Sequence, residues 1–309
     1  MKSTNKLTLM VAALLNLVFI FSTVGAFPKF DYDNKADFGV FRESEQTWYS
    51  YSTESGTSSA TVWGLGSDSL APGDYDGDGL TDFAVYRLAT ATWYIRRSTN
   101  ASPLVVQWGV CRPFEPCDQP VAGDYDGDGT TDIAVWRPAN GIWYVLKSTS
   151  GFSPNYPLIF HWGQLGDKPV QADYDGDRKT DFAVFRASEN KWYILQSATN
   201  SWLVYTFGDS HSYDMPVPSD YDGDGKADIA VWRLTRGIWY IQRSQNLQIE
   251  AFQFGGGNDL PVPQDYDGDG RTDIAVFRAG TWYIFESSTL RVRVFNYGIN
   301  GDTPINYFR

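Results

Sequence analysis

The chain has 309 residues, enough for two average domains or one large all-β domain. Its 29 glycines, 16% aromatic residues and three methionines lean toward β structure with many turns. A formal net charge of −12 argues against nucleic acid as a partner, because phosphate binding needs a basic surface.

At the N-terminus, Lys2 and Lys6 precede an apolar run, Leu7 to Phe21, broken only by Thr8 and Asn16. "STVGA" follows and ends in small residues. The layout predicts a secretory signal peptide over 1–26, cleaved after Ala26, with an uncleaved anchor as the alternative. The mature chain, 27–309, is then exported and soluble, and a monomer is expected.

From residue 31 onward one unit recurs. "DYDNKADFGVFR" (31–42) is a worn first copy, with Asp31, Asp33 and Asp37, and reads as two residues shorter than its successors. Five intact loops follow: "DYDGDGLTD" (74–82), "DYDGDGTTD" (124–132), "DYDGDRKTD" (173–181), "DYDGDGKAD" (220–228) and "DYDGDGRTD" (265–273). Their last Asp residues are 50, 49, 47 and 45 residues apart. After each loop comes an apolar strand ending in Arg, such as "FAVYR" or "IAVWR". A polar turn then leads to Trp-Tyr, at Trp48, Trp93, Trp143, Trp192, Trp239 and Trp282. A last strand runs into aromatic-Gly, and a "PVP"-like approach leads back to the next loop.

Each unit thus reads as four short strands in about 47 residues. In the Arg-ending strand both alternating sets are apolar, Ile133 and Val135 on one side, Ala134 and Trp136 on the other. Such a strand needs sheets stacked on both faces. The fold predicted is therefore all-β, a β-propeller of six four-stranded blades, with seven blades as the minor alternative and a sandwich as the runner-up. "GINGDTPINYFR" at the C-terminus matches a further first strand and is expected to seal the ring, although "FPKFDYD" competes for that place.

Between the first and second intact loops lie Cys111 and Cys117, in a connection longer than its counterparts. In an exported protein a disulfide closing this loop is the leading expectation. Asn100 begins a glycosylation sequon, with Pro103 behind it.

The loops D-x-D-x-D-G-x-x-D set oxygen donors at positions 1, 3, 5 and 9. Four carboxylates in nine residues repel one another unless a cation replaces repulsion by coordination. Calcium, with six to eight oxygen ligands, fits better than magnesium, and no Cys or His lies near for a transition metal. An EF-hand would need a carboxylate at position 12, where this chain has Val85, Val135, Val184, Val231 and Val276. Arg178 replaces the glycine at position 6 of the third intact loop, which makes that site the weakest expected. The worn copy is expected not to bind calcium.

These loops, the β-run behind them and the aromatic-Gly resemble the FG-GAP/VCBS repeats of integrin-α-like propellers, across 27–309. The resemblance implies that each loop lies in the hairpin of strands one and two and binds Ca²⁺. Its ligands would be Asp74, Asp76, Asp78, Asp82 and the Leu80 main-chain carbonyl. The matching sets are Asp124, Asp126, Asp128, Thr130 and Asp132, then Asp173, Asp175, Asp177, Lys179 and Asp181. The last two are Asp220, Asp222, Asp224, Lys226 and Asp228, and Asp265, Asp267, Asp269, Arg271 and Asp273. The family also implies extracellular recognition or adhesion.

The function expected is a secreted recognition module for a glycan or protein ligand. Its calcium loops would lie on one face of the disc, with variable connections such as "VCRPFEPC", "DSHSYDM" and "GGNDL" on the other. The recurrent Arg and Trp read either as sugar-binding pairs or as packing within blades. The alternatives are a polysaccharide lyase or hydrolase and a purely structural surface protein. No catalytic residues stand out, since His161 falls in a strand and His211 has no evident partner.

Overall fold

The computed structural model describes residues 28–209 and 214–306. The signal-peptide reading of 1–26 and the placement of His211 lie outside these residues.

Among the described residues twenty-four strands form six four-stranded antiparallel sheets, one per repeat. In each blade strand two is the "FAVYR"-type run. Phe83–Arg87, Ile133–Arg137 and Ile229–Arg233 are examples, buried throughout except at the terminal Arg and at Phe83. Strand three alternates, with its Trp turned into the core. Trp48, Trp93, Trp143, Trp192, Trp239 and Trp282 are at most 1% exposed. Each indole N–H donates to the carbonyl of its own blade's aromatic-Gly residue, for example Trp239 to Phe254 at 2.9 Å. A buried indole with its one donor satisfied is worth about 3–5 kcal/mol against alanine.

Strand four carries the exposure. Trp202–Thr206, Ile249–Gln253 and Val292–Asn296 alternate exposed and half-buried residues, as an outer edge does. Strand one is the opposite edge and is short. Gln119–Pro120 and Leu260–Pro261 are examples, their prolines opposite Val135 and Val276 of strand two. Proline lacks the N–H needed to extend the ladder inward, so it belongs at an edge.

The ring closes with the C-terminal segment. Thr303–Pro304 pairs with Phe38–Arg42, placing Pro304 opposite Val40 and completing the first blade. Of the "FPKFDYD" segment, the described residues 28–33 take no strand position. Neighbouring blades are joined by the aromatic-Gly residues. The indole N–H of Trp63 donates to the Tyr94 carbonyl of the second blade, Trp108 to Tyr144 of the third, and Trp162 to Tyr193 of the fourth. Phe207, Phe254 and Tyr297 occupy the same place at the other three junctions.

Candidate metal centre

Each acidic loop lies between strands one and two. It is closed at its base by a β-bridge such as Gly73 to Asp82 or Gly123 to Asp132. The position-1 carboxylate organises the turn. Asp74 accepts the N–H groups of Gly77 at 2.7 Å and Gly79 at 2.8 Å, and Asp220 does the same for Gly223 and Gly225. The position-5 carboxylate accepts the N–H of position 7, as in Asp78 with Leu80 and Asp128 with Thr130, both at 2.8 Å.

The position-9 carboxylate is wholly buried in every copy. One oxygen of Asp82 accepts the Tyr75 N–H at 2.9 Å, and the other accepts the Ser98 N–H at 2.7 Å. It thereby fastens its own loop to the turn between strands three and four. Desolvation raises its pKa to about 6 in Asp82 and about 7 in Asp132, Asp181, Asp228 and Asp273, despite those backbone donors. The position-1 carboxyls, Asp74, Asp124, Asp173, Asp220 and Asp265, are also raised, first by burial and then by the neighbouring carboxylates.

The turn between strands three and four supplies hydroxyls that the sequence reading missed. Ser98 donates to Asp78 at 2.7 Å and Thr99 to Asp76 at 2.5 Å, and Ser148 and Thr149 do so to Asp128 and Asp126. Their signal was in the chain: Ser98, Ser148, Ser197 and Ser244 each follow a ninth-position Asp by 16 residues.

Carboxylate oxygens converge to within 4.8 Å in Asp74, Asp76 and Asp78, in Asp124, Asp126 and Asp132, in Asp173, Asp175 and Asp181, and in Asp220, Asp222 and Asp228. Asp265 and Asp269 keep the same internal bonds, to Gly268 and Gly270 and to the Arg271 N–H. One position-3 oxygen in each of Asp76, Asp126 and Asp222 is buried and has no hydrogen-bond partner. A buried carboxylate oxygen without a donor is costly unless a cation faces it. The donor set therefore fits a hard divalent cation, and these clusters can hold a metal ion.

The worn copy corrects the sequence reading. It is not shorter but shifted. Its ring-facing contacts place Lys29 at position 1, where the Lys29 carbonyl accepts the Thr81 N–H as Asp74 accepts that of Thr131. Phe30 donates to Asp37 as Tyr75 does to Asp82, and Lys35 donates to Asp33 as Leu80 does to Asp78. Asp31, Asp33 and Asp37 are therefore positions 3, 5 and 9, and they converge like the others. What the copy lacks is the position-1 carboxylate.

Two loops carry arginine within reach. Arg178 holds φ at +70°, in the left-handed region where the other intact loops have glycine at +84° to +86°. In the last loop the Arg271 guanidinium pairs with Asp269 at 2.6 Å. Sequence reasoning singled out the first and not the second, because position 7 was read only for its main-chain carbonyl.

At the opposite ends of the strands, Arg87, Arg137, Arg186, Arg233 and Arg278 each form a two-pronged pair with Asp68, Asp118, Asp167, Asp214 and Asp259. Arg42 pairs likewise with Asp302. The same guanidinium groups stack on Tyr94, Tyr144, Tyr193, Tyr240, Tyr283 and Tyr49. These Asp side chains are at most 1% exposed. The Trp residues are buried in the blades, as the packing alternative expects, while the Arg side chains are 14–51% exposed. Cys111 and Cys117 are disulfide-bonded, closing a loop with Phe114 at its exposed tip.

The FG-GAP-like repeat model matches residues 124–184, 173–231 and 220–276. Each match begins on the first Asp of one loop and ends in strand two of the next blade. The protein is an FG-GAP repeat β-propeller. No curated protein matches the sequence. Solved propellers resemble the fold. An Agrocybe aegerita lectin that recognises non-reducing terminal N-acetylglucosamine is 11% identical with a TM-score of 0.58, over 90% of this chain and 78% of that one. A catalytically inactive virginiamycin B lyase from Staphylococcus aureus, in complex with quinupristin, is 7% identical with a TM-score of 0.52, over 90% and 95%. TolB from Acinetobacter baumannii is 11% identical with a TM-score of 0.53, over 87% and 66%. These neighbours include an enzyme and a lectin, so the fold by itself does not decide between catalysis and binding. Among the described residues no helix is long and apolar enough to cross a membrane.

Proposed function

We propose that the protein is an exported, calcium-stabilised recognition module, binding a glycan or protein ligand with the face opposite its acidic loops. The observation that carries the calcium assignment is the set of buried, partnerless position-3 oxygens beside converging carboxylates. Every donor offered there is oxygen, the preference of calcium. Five such loops on one end of the strands act as a scaffold, with Asp74–Asp82 and its four equivalents holding the hairpins of strands one and two.

The recognition surface lies at the other end of the strands. There the connections between blades differ in chemistry and, at 108–118, in length, although the turn 147–157 on the acidic-loop side is equally extended. The disulfide-closed loop between Gln107 and Gln119, with Phe114 at its tip, is the longest of them. Variable segments on a rigid platform are suited to selective binding. That a fungal propeller lectin recognises a terminal sugar supports a glycan as one ligand class. The test is a glycan array and a cell-surface pull-down, each run in calcium and in EDTA. Specific capture that weakens when Phe114 is replaced by Ser is expected; no capture in either format, with calcium present, sinks the recognition reading.

A further inference from the structure

The six loops do not stand alone. The position-8 N–H of each loop donates to the position-1 carbonyl of the preceding one: Thr81 to Lys29 at 2.8 Å, Thr131 to Asp74 at 2.6 Å and Thr180 to Asp124 at 2.6 Å. Ala227 donates to Asp173, Thr272 to Asp220 and Ala36 to Asp265, each at 2.7 Å. The last of these returns from the first blade to the sixth, so the chain of bonds closes on itself.

A second contact follows the same order. The position-7 side chain lies against the position-4 glycine of the loop before it. A Cβ added at Gly127 would fall 2.9 Å from Lys179, one at Gly223 2.8 Å from Arg271, and one at Gly268 3.2 Å from Lys35. Each of these glycines also has a positive φ. The backbone of one loop is thus held by the next through a hydrogen bond and a steric contact.

We infer that the cation sites of this belt are energetically coupled, each filled loop favouring cation binding in its two neighbours. This rests on the calcium reading above. The peptide between positions 7 and 8 is the link. Its carbonyl is the main-chain ligand that the family resemblance assigns, and its N–H is the donor to the preceding loop. A cation drawing on that carbonyl polarises the peptide and strengthens the N–H as a donor. The strengthened bond fixes the preceding position-1 Asp, whose carboxylate organises the turn of its own site. Linkage makes the effect reciprocal. The belt is open in one respect. Lys29 replaces the position-1 Asp in the first blade, so the five intact loops form a linear series, from 74–82 to 265–273.

The test is calcium titration of the metal-depleted full chain, read by amide hydrogen exchange in peptides covering each loop. Asp269→Asn weakens the last loop. Coupling predicts that the calcium midpoint for protection of loop 220–228 then rises about threefold or more, with loop 74–82 moving least. The reverse variant, Asp222→Asn, should raise the midpoints of the loops on both sides of it. Neighbour midpoints unchanged in both variants, with protection still dependent on calcium, overturn the coupling and leave the calcium reading standing. No calcium-dependent protection in any loop of the unaltered protein overturns both.

Discussion

At the scale of a residue, the acidic loop is a turn tied by its own carboxylates. Position 1 accepts two glycine N–H groups, position 5 one more, and position 9 spans to another turn. In three of the loops this leaves position 3, at Asp76, Asp126 and Asp222, with an oxygen that nothing satisfies. Arg178 departs most from the pattern. Its φ of +70° asks an L-residue for a conformation that costs about 1–2 kcal/mol. Arg178→Gly is therefore expected to raise thermal stability by an amount in that range and to tighten calcium binding at loop 173–181. Calcium titration with loop-resolved hydrogen exchange checks it; a tighter site in none of the loops would count against the strain argument.

At the scale of an element, much was legible because each repeat spells the same four strands. Loop spelling, the double apolar strand and the aromatic-Gly gave blade number and order, whereas two termini matched the closing strand and the pairing of Thr303–Pro304 decides between them. The register of the worn loop was not legible. Its D-x-D pair matches positions 1 and 3 as well as positions 3 and 5, since the motif repeats itself every two residues. The spacing back from Asp37, the bonds of Phe30 and Lys35 within the loop, and those of Lys29 and Ala36 to neighbouring blades together break that tie. The Asp partners of the recurrent Arg residues were missed for another reason. Asp68, Asp118 and Asp167 precede strand one by one residue and their Arg by 19, a separation that acquires meaning only once the blade is folded.

The closing strand carries this scale's prediction. Thr303–Pro304 covers the free edge of Phe38–Arg42, and Asp302 beside it holds Arg42. Deleting residues 302–309 exposes that edge and leaves Arg42 without its buried partner. Loss of a buried pair member costs about 3–5 kcal/mol, before the lost strand is counted. The truncated chain is expected to unfold at markedly lower urea and to aggregate through the open edge. Urea midpoints and light scattering measure both, and an unshifted midpoint would show that the ring closes some other way.

At the scale of the whole molecule, the raised carboxyl pKa values link stability to protons and to calcium. Burial holds the position-9 groups near pH 6 to 7 when folded, against an ordinary value of about 3.8 when unfolded. The folded state therefore binds more protons over that interval. Without metal, this contribution to stability is complete below about pH 4 and is lost as the pH rises through 7. Calcium replaces the protons. In EDTA the melting temperature is expected to fall between pH 5 and pH 8, and in calcium the fall should be largely abolished. Melting curves at both pH values, with and without EDTA, make the comparison; identical curves would remove calcium from the account.

The indole bonds between blades reach only part of the way round. Trp63, Trp108 and Trp162 bind the first four blades together, at about 0.5–1.5 kcal/mol for each bond. Phe207, Phe254 and Tyr297 fill the remaining junctions without an indole N–H to give. Cavities of about 300 and 180 Å³ lie at two of those junctions, one beside Phe207 and Tyr240, the other between Phe252 and Ile274. The circle is accordingly anisotropic in stiffness, with one rigid arc and one compliant arc. Under tension, as in a chain anchored at one end and holding a ligand at the other, strain would gather between the fourth blade and the sixth, where those cavities lie. The seam where the C-terminal strand is laid down lies beyond that stretch, and there Phe38 of the first blade packs on Tyr266, Trp282 and Phe295 of the sixth, so the point of closure is held by ring contacts instead.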